Sequence, residues 1–163
     1  MGIDAGKNSA DIVKVLELCR DVEAVSAELY KYFAEIYSDH PELAALWRKT
    51  AKEEEDHAKQ FVLALKMRRE PFIDAIVIDG SKAENALKIV RSLNDMARKS
   101  PPGMLEALRA AIKLEKGLAD FHMSTAVHFV QENQKQLFLA LMKADNEHVE
   151  ALEKFYQRLF VTD

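Results

Sequence analysis

The chain is poor in cysteine, glycine and proline, and each shortage excludes a class of structure. One cysteine, Cys19, occurs in 163 residues, so no disulfide framework, zinc finger or iron–cysteine centre can form within the chain. A lone cysteine fits a reducing compartment, and we expect a cytoplasmic protein. Only five glycines and four prolines interrupt the sequence, which leaves room for long helices.

Long apolar runs and charge of one sign are also missing. No stretch reaches the roughly 18 consecutive apolar residues of a membrane span, and residues 1–10 lack the basic-then-apolar pattern of a signal peptide. The net charge is −4, and no basic stripe indicates nucleic acid. With 48% hydrophobic and 31% charged residues, residues 1–163 are expected to form one soluble domain without nucleic-acid or membrane partners.

Four long segments have the apolar periodicity of helices. They are predicted at about 9–37 with Ser9 as N-cap, at 41–68 with Pro41 in the first turn, from 100–103 to 130, and from Asn133 to 160. The apolar segment 71–80, bounded by breakers, predicts an extended crossover, and Ser81 caps a shorter helix that reaches about Lys99. A long connection of this kind is the ferritin-like arrangement. We therefore predict an all-α, ferritin-like four-helix bundle with a long crossover, containing a short extra helix, between the second and third bundle helices.

Each long segment carries one carboxylate near the middle of its apolar stripe. These acids are Glu23, Glu54, Glu115 and Asp145, and no Lys or Arg lies on any of the four stripes. Burying unpaired carboxylates is costly, and four together repel one another. The four carboxylates therefore need protons or metal ions, and two divalent cations would balance their four negative charges.

Two of the acids are followed three residues later by a histidine, on the same helix face. Glu54 with His57 is assigned to one metal ion, and Asp145 with His148 to the other. Glu23 and Glu115 are then bridging or terminal ligands. Bundles that hold two iron or manganese ions have this pattern of two glutamates and two Glu-x-x-His pairs. The alternatives are a polar core cluster or an abandoned site, and a slip of register on the last helix towards Glu147 or Glu150.

The two halves of the sequence echo each other. Glu23 precedes Glu54 by 31 residues, and Glu115 precedes Asp145 by 30, which suggests pseudo-two-fold symmetry. An aromatic or imidazole ring follows the first acid of each half by seven residues. Tyr30 is predicted to hydrogen-bond a ligand carboxylate, whereas His122 is a third histidine ligand, a proton donor or an ordinary core histidine.

Other polar residues receive plainer interpretations. Cys19 lies one turn from Glu23 and is interpreted as a small buried hydrophobe rather than a redox thiol. The charge-rich run 52–56 is interpreted as solvated surface, with Glu54 as its inward-facing exception. His40 and His128 receive no role.

The chain resembles the rubrerythrin branch of the ferritin-like superfamily over about residues 9–160. The densest similarity lies in EAVSAELYKYFA (23–34) and TAKEEEDHAKQF (50–61). The resemblance implies Tyr30 as a partner of a metal-ligating carboxylate, and it implies these metal ligands: Glu23, Glu54, His57, Glu115, Asp145 and His148. The sequence departs from the family in three ways. It lacks the cysteine pairs of a rubredoxin domain. It has Leu118 where the family has a second glutamate on the third bundle helix, and Asp145 where the family usually has a glutamate.

The function predicted from these residues is redox chemistry at a pair of metal ions. Carboxylates with two imidazoles suit Fe(II) or Mn(II), so we expect two iron ions, with manganese or a mixed pair as alternatives. The predicted activity is an oxidoreductase that reduces peroxide or O₂ with electrons from an external donor, such as a rubredoxin-type protein. The alternatives are an iron-binding or ferroxidase protein, and a non-catalytic bundle with a structural or vacant site. A homodimer is also expected, because such bundles commonly pair.

Overall fold

The computed structural model describes residues 5–66, 80–127 and 132–161, with side chains from residue 12 onward. It contains five helices: α1 (Ala5–Ile36), α2 (Pro41–Lys66), α3 (Gly80–Lys99), α4 (Met104–Ala126) and α5 (Glu132–Phe160). No strand occurs in these ranges, so the all-α prediction is confirmed for the described part of the chain. The predicted extended segment lies outside the described residues except for Gly80, which begins α3, and His128 also lies outside them.

The helix boundaries agree with some local signals and depart from others. α2 begins at Pro41, as predicted, because proline has no N–H to lose in a first helical turn. The N–H of Ala44 then donates to the carbonyl of His40 at 2.9 Å. α1 begins at Ala5 rather than at the predicted Ser9, so Ser9 lies inside the helix and is not its N-cap.

The helices pack as two pairs with one helix laid against the first pair. α1 lies along α2, α4 lies along α5, and α3 packs mainly on α1. Early residues of α2 and α4, such as Leu43 and Leu108, share one apolar cluster. Phe61, late in α2, and Ala126, late in α4, belong to a second cluster. α2 and α4 therefore run in the same direction, and the middle of the bundle lies between the two clusters.

The apolar stripes of the helices are mostly buried, and the exceptions have structural reasons. Leu159 is 45% exposed, because the last turn of α5 is exposed throughout and the apolar stripe ends before it. α1 buries more than one stripe, since α3 covers a second face of it. Val22 and Leu29 of α1 share a cluster with Leu87 of α3.

No helix among the described residues is long and apolar enough to cross a membrane. The homodimer stays a prediction.

Replacing Phe61 with alanine tests the packing beside the middle of the bundle. Phe61 is fully buried, and its ring meets Phe138 edge-on with centroids 5.5 Å apart. We expect Phe61→Ala to lower the free energy of unfolding by about 3–5 kcal/mol, measured by urea denaturation. Leu63→Ala, on the same helix at a side chain 55% exposed, should change it by less than about 0.5 kcal/mol. Equal losses in the two variants would contradict this packing.

Candidate metal centre

Six side chains predicted as metal ligands meet in the middle of the bundle. α1, α2, α4 and α5 all contribute, and the six are Glu23, Glu54, His57, Glu115, Asp145 and His148. The four carboxylates have no exposed surface, whereas the two histidines are 8% and 4% exposed. No Lys or Arg is buried among the residues whose side chains the structure describes. The predicted exclusion of cationic side chains therefore holds in three dimensions.

The ligand atoms form two groups that share Glu54. One group consists of Glu54, Glu115, Asp145 and His148, and the other of Glu23, Glu54 and His57, with atoms in each group within 4.8 Å of one another. Each group can hold one metal ion. The sequence left Glu23 and Glu115 open as bridging or terminal ligands, and the structure places Glu54 in both groups. A carboxylate has two oxygens, so Glu54 can serve both positions at once.

Both histidines direct Nδ1 into the cluster. Nδ1 of His57 lies 3.1 Å from Oε2 of Glu54 and 3.6 Å from Oε2 of Glu23. Nδ1 of His148 lies 3.0 Å from Oε1 of Glu54 and 3.2 Å from Oε2 of Glu115. The two ring centroids are 6.0 Å apart. Each imidazole therefore presents one nitrogen between two carboxylates, as a ligand of a shared cation would.

Several buried polar atoms of the cluster have no hydrogen-bond partner. They are both carboxylate oxygens of Glu23, Oε1 of Glu54, Oδ1 of Asp145 and Nε2 of His122. Leaving such atoms unsatisfied costs roughly 1–3 kcal/mol each, and more for charged groups. Carboxylate oxygens and imidazole nitrogens are the ligands that Fe(II) and Mn(II) accept. The unpaired atoms and the donor types both fit divalent metal ions.

The ring that follows the first acid of each half contacts the first acid of the other half, and His122 also contacts Asp145 of its own half. The hydroxyl of Tyr30 donates to Oε1 of Glu115. Nδ1 of His122 donates to Oδ2 of Asp145 at 2.6 Å, and its Nε2 lies 3.2 Å from Oε1 of Glu23, without hydrogen-bond alignment. The matching spacing in the two halves of the sequence therefore corresponds to reciprocal contacts between the halves in the structure. His122 lies outside both ligand groups and bridges two of their carboxylates.

Sequence reasoning missed Glu53, which lies beside Glu54 on α2. Nε2 of His148 donates to Oε2 of Glu53 at 2.7 Å. The side chain of Glu53 is 40% exposed, as predicted for a solvated run 52–56, but it also binds a histidine of the site. The only signal was its position next to Glu54, because the sequence does not fix the distance between α2 and α5.

Burial and mutual repulsion change the carboxyl pKa values. Burial, followed by the charges of Glu23 and Glu115, raises the pKa of Glu54 well above its usual value. Burial also raises the pKa of Asp145 to about 6, although His122 partly offsets it. At Glu23 burial acts the same way, but the neighbouring Glu54 carboxyl and the His122 and His57 imidazoles outweigh it and lower the pKa. The acids therefore do not share charge equally.

The three buried histidines supply the positive charge of the metal-free cluster. Burial disfavours their charged form, but the neighbouring carboxylates outweigh it. The pKa of His57 and of His122 rises to about 10, and that of His148 rises to about 12. Protonated imidazoles thus take the place that Lys or Arg would otherwise have.

Two further predicted residues keep neutral side chains. Cys19 is buried and free, and burial followed by the charge of Glu23 raises its thiol pKa well above the usual value. It stays a thiol, which agrees with its interpretation as a small hydrophobe. Burial, followed by the charge of Glu115, likewise raises the pKa of Tyr30, so its hydroxyl remains a donor.

Stability of the metal-free protein should fall as the pH rises. A histidine whose pKa is higher in the folded state stabilises the fold fully below the unfolded value of about 6.5 and loses that contribution as pH rises through the folded value. For His57 and His122 this window runs from about 6.5 to about 10. Urea midpoints measured with a chelator present should fall across this range. A flat or rising midpoint would contradict protonated imidazoles in the cluster.

Replacing His122 tests the bridge between Glu23 and Asp145. His122→Leu removes the donor to a buried carboxylate, and breaking a buried ion pair costs about 3–5 kcal/mol in the free energy of unfolding. We expect a loss of that order by urea denaturation of the chelated protein. His40→Leu, at an exposed turn, should leave stability nearly unchanged. A His122→Leu variant as stable as the His40→Leu control would show that the bridge contributes nothing.

The site is defined by this chain's own residues rather than by similarity to known proteins. The resemblance to rubrerythrins inferred from the sequence motifs stays a prediction. No protein-family model, no curated protein and no solved structure matches the chain.

Proposed function

We propose that this protein is a ferritin-like oxidoreductase of rubrerythrin type, with a carboxylate-bridged pair of iron ions. The observation that carries the proposal is the pair of ligand groups that share Glu54 in the buried middle of the bundle. Two Glu-x-x-His-like pairs and two further glutamates are the ligand pattern of di-iron and di-manganese carboxylate bundles. The parallel course of α2 and α4 supports a ferritin-like connection between them.

The charges of the site support two divalent ions rather than one. Four carboxylates carry up to four negative charges, and two divalent ions balance these while leaving the histidines neutral. Metal binding then displaces the protons that the histidines hold in the metal-free state. Oxygen and imidazole ligands suit iron or manganese, and iron accounts best for a redox function.

The chain's own residues can bind, orient and shield such a pair. These residues would hold a reduced iron pair, whose chemistry when bound would be to supply two electrons to hydrogen peroxide, which with two protons becomes two molecules of water. Tyr30 holds Glu115, and His122 holds Asp145, so these carboxylates keep a fixed orientation. The apolar clusters on both sides exclude water from the carboxylates.

Electrons would come from a separate protein. Cys19 is the single cysteine of the chain and is buried, so the chain cannot build its own iron–cysteine centre. A rubredoxin-type donor would supply the electrons, and peroxide or O₂ would accept them.

Metal content of matched variants tests the site directly. Protein loaded anaerobically with Fe(II) and desalted should hold about two irons per chain, because there are two ligand groups. Glu54→Gln should lose both, since Glu54 belongs to both groups, whereas Glu23→Gln and Glu115→Gln should each weaken one. Glu55→Gln removes the same charge from an exposed ion pair with Lys31 and should keep both irons. A wild-type protein with less than one iron per chain would overturn the metal site.

Turnover assays separate the proposed activity from its alternatives. Catalytic reduction of peroxide or O₂ by the iron-loaded protein with reduced rubredoxin would support the oxidoreductase, and Glu54→Gln should abolish it. Oxidation of added Fe(II) without turnover of the donor would instead indicate a ferroxidase. Full iron binding with neither activity would indicate a structural site.

A further inference from the structure

Glu53 contacts His148, which, unlike His57, the other histidine of the ligand groups, has carboxylates at both ring nitrogens in the described part of the chain. We propose that Glu53 is a positioning residue that fixes the His148 ring, so that Nδ1 binds the metal ion of the group formed by Glu54, Glu115 and Asp145. This role rests on the proposed metal centre and deepens it. Glu53 belongs to neither ligand group, so it acts through His148 alone.

The argument begins with the two nitrogens of the imidazole ring. Nε2 of His148 donates to Oε2 of Glu53 at 2.7 Å, while Nδ1 lies 3.0 Å from Glu54 and 3.2 Å from Glu115. The hydrogen bond that one nitrogen makes decides which nitrogen is left for a metal. Because Glu53 occupies Nε2, Nδ1 is the nitrogen directed at the ligand carboxylates.

His57 provides an internal comparison. Its contacts with carboxylates in the described part of the chain are all made by Nδ1, to Glu54 and Glu23. His57 and His148 thus present the same nitrogen to the cluster, but a carboxylate holds the outer nitrogen of His148 only. The effect of Glu53 should therefore fall on one of the two metal positions.

The location of Glu53 makes a positioning role testable without damaging the core. Its side chain is 40% exposed, and Lys49 lies one turn away at 3.9 Å. The contact also joins α2 to α5. Losing the Glu53 carboxylate removes a constraint on the His148 ring and leaves every ligand atom in place.

Anaerobic titration with Fe(II), followed by calorimetry, tests the proposal. Loss of such a carboxylate partner typically weakens metal binding by about 10- to 100-fold. We expect Glu53→Ala to weaken one of two binding steps by that factor and leave the other unchanged. Glu53→Gln keeps a carbonyl oxygen that can accept the Nε2–H bond and should restore most of the affinity. Glu55→Gln, which removes the same charge from the same helix, should bind both ions as the wild type does.

Nitrogen-15 NMR of the Zn(II)-loaded protein gives a readout that a merely structural role would not change. The Nε2–H proton of His148 should be slow to exchange in the wild type and in Glu53→Gln, and fast in Glu53→Ala. Two full-affinity steps in Glu53→Ala, or an equal loss in Glu55→Gln, would overturn the positioning role while the metal centre stands. Failure of the wild type to bind two ions would overturn both proposals together.

Discussion

Mutual repulsion among four buried carboxylates is the constraint on which this site depends. Glu23, Glu54, Glu115 and Asp145 meet in the interior with no exposed surface, where charge is expensive. A bundle usually solves this with Lys or Arg, but no such residue is buried in the described part of the chain. The remaining solutions are protons and metal ions. Protons are one solution, because the neighbouring carboxylates raise the pKa of the buried histidines. Metal ions are the other, because they would satisfy the carboxylate oxygens that have no hydrogen-bond partner.

The features that periodicity controls were predictable from the sequence. Helical spacing places residues three and four apart on one face, so the acids and their following histidines had to face the same way as the apolar stripes. Glu54 and His57 could be paired, and His148 could be placed beside Asp145, without any knowledge of the fold. The absence of Lys and Arg from those stripes was equally visible. These are all relations within a single helix.

Relations between helices were not predictable in the same way. The sequence gives no distance between α2 and α5, so the contact between Glu53 and His148 could not be foreseen. It also could not show that Glu54 would belong to both ligand groups, or that α3 would cover a second face of α1 and bury Val22. Such features depend on how each helix is rotated and shifted against its neighbours, which the packing of the whole bundle decides. His122 combines the two situations. Its place on the apolar stripe of α4 could be predicted from the sequence, but its partners on α1 and α5 could not.

The two halves of the site have matching positions for their acids and rings, but the side chains at these positions make different contacts. Tyr30 and His122 occupy matching places and each crosses to an acid of the other half, but a phenol at Glu115 donates one bond whereas an imidazole joins two carboxylates. The outer nitrogen of His148 is held by Glu53, while the carboxylate contacts of His57 are made by Nδ1 alone. One ligand group also has four members and the other three. Approximate symmetry of the helices therefore brings the candidate ligands together, and these unequal contacts make the two ligand groups chemically distinct.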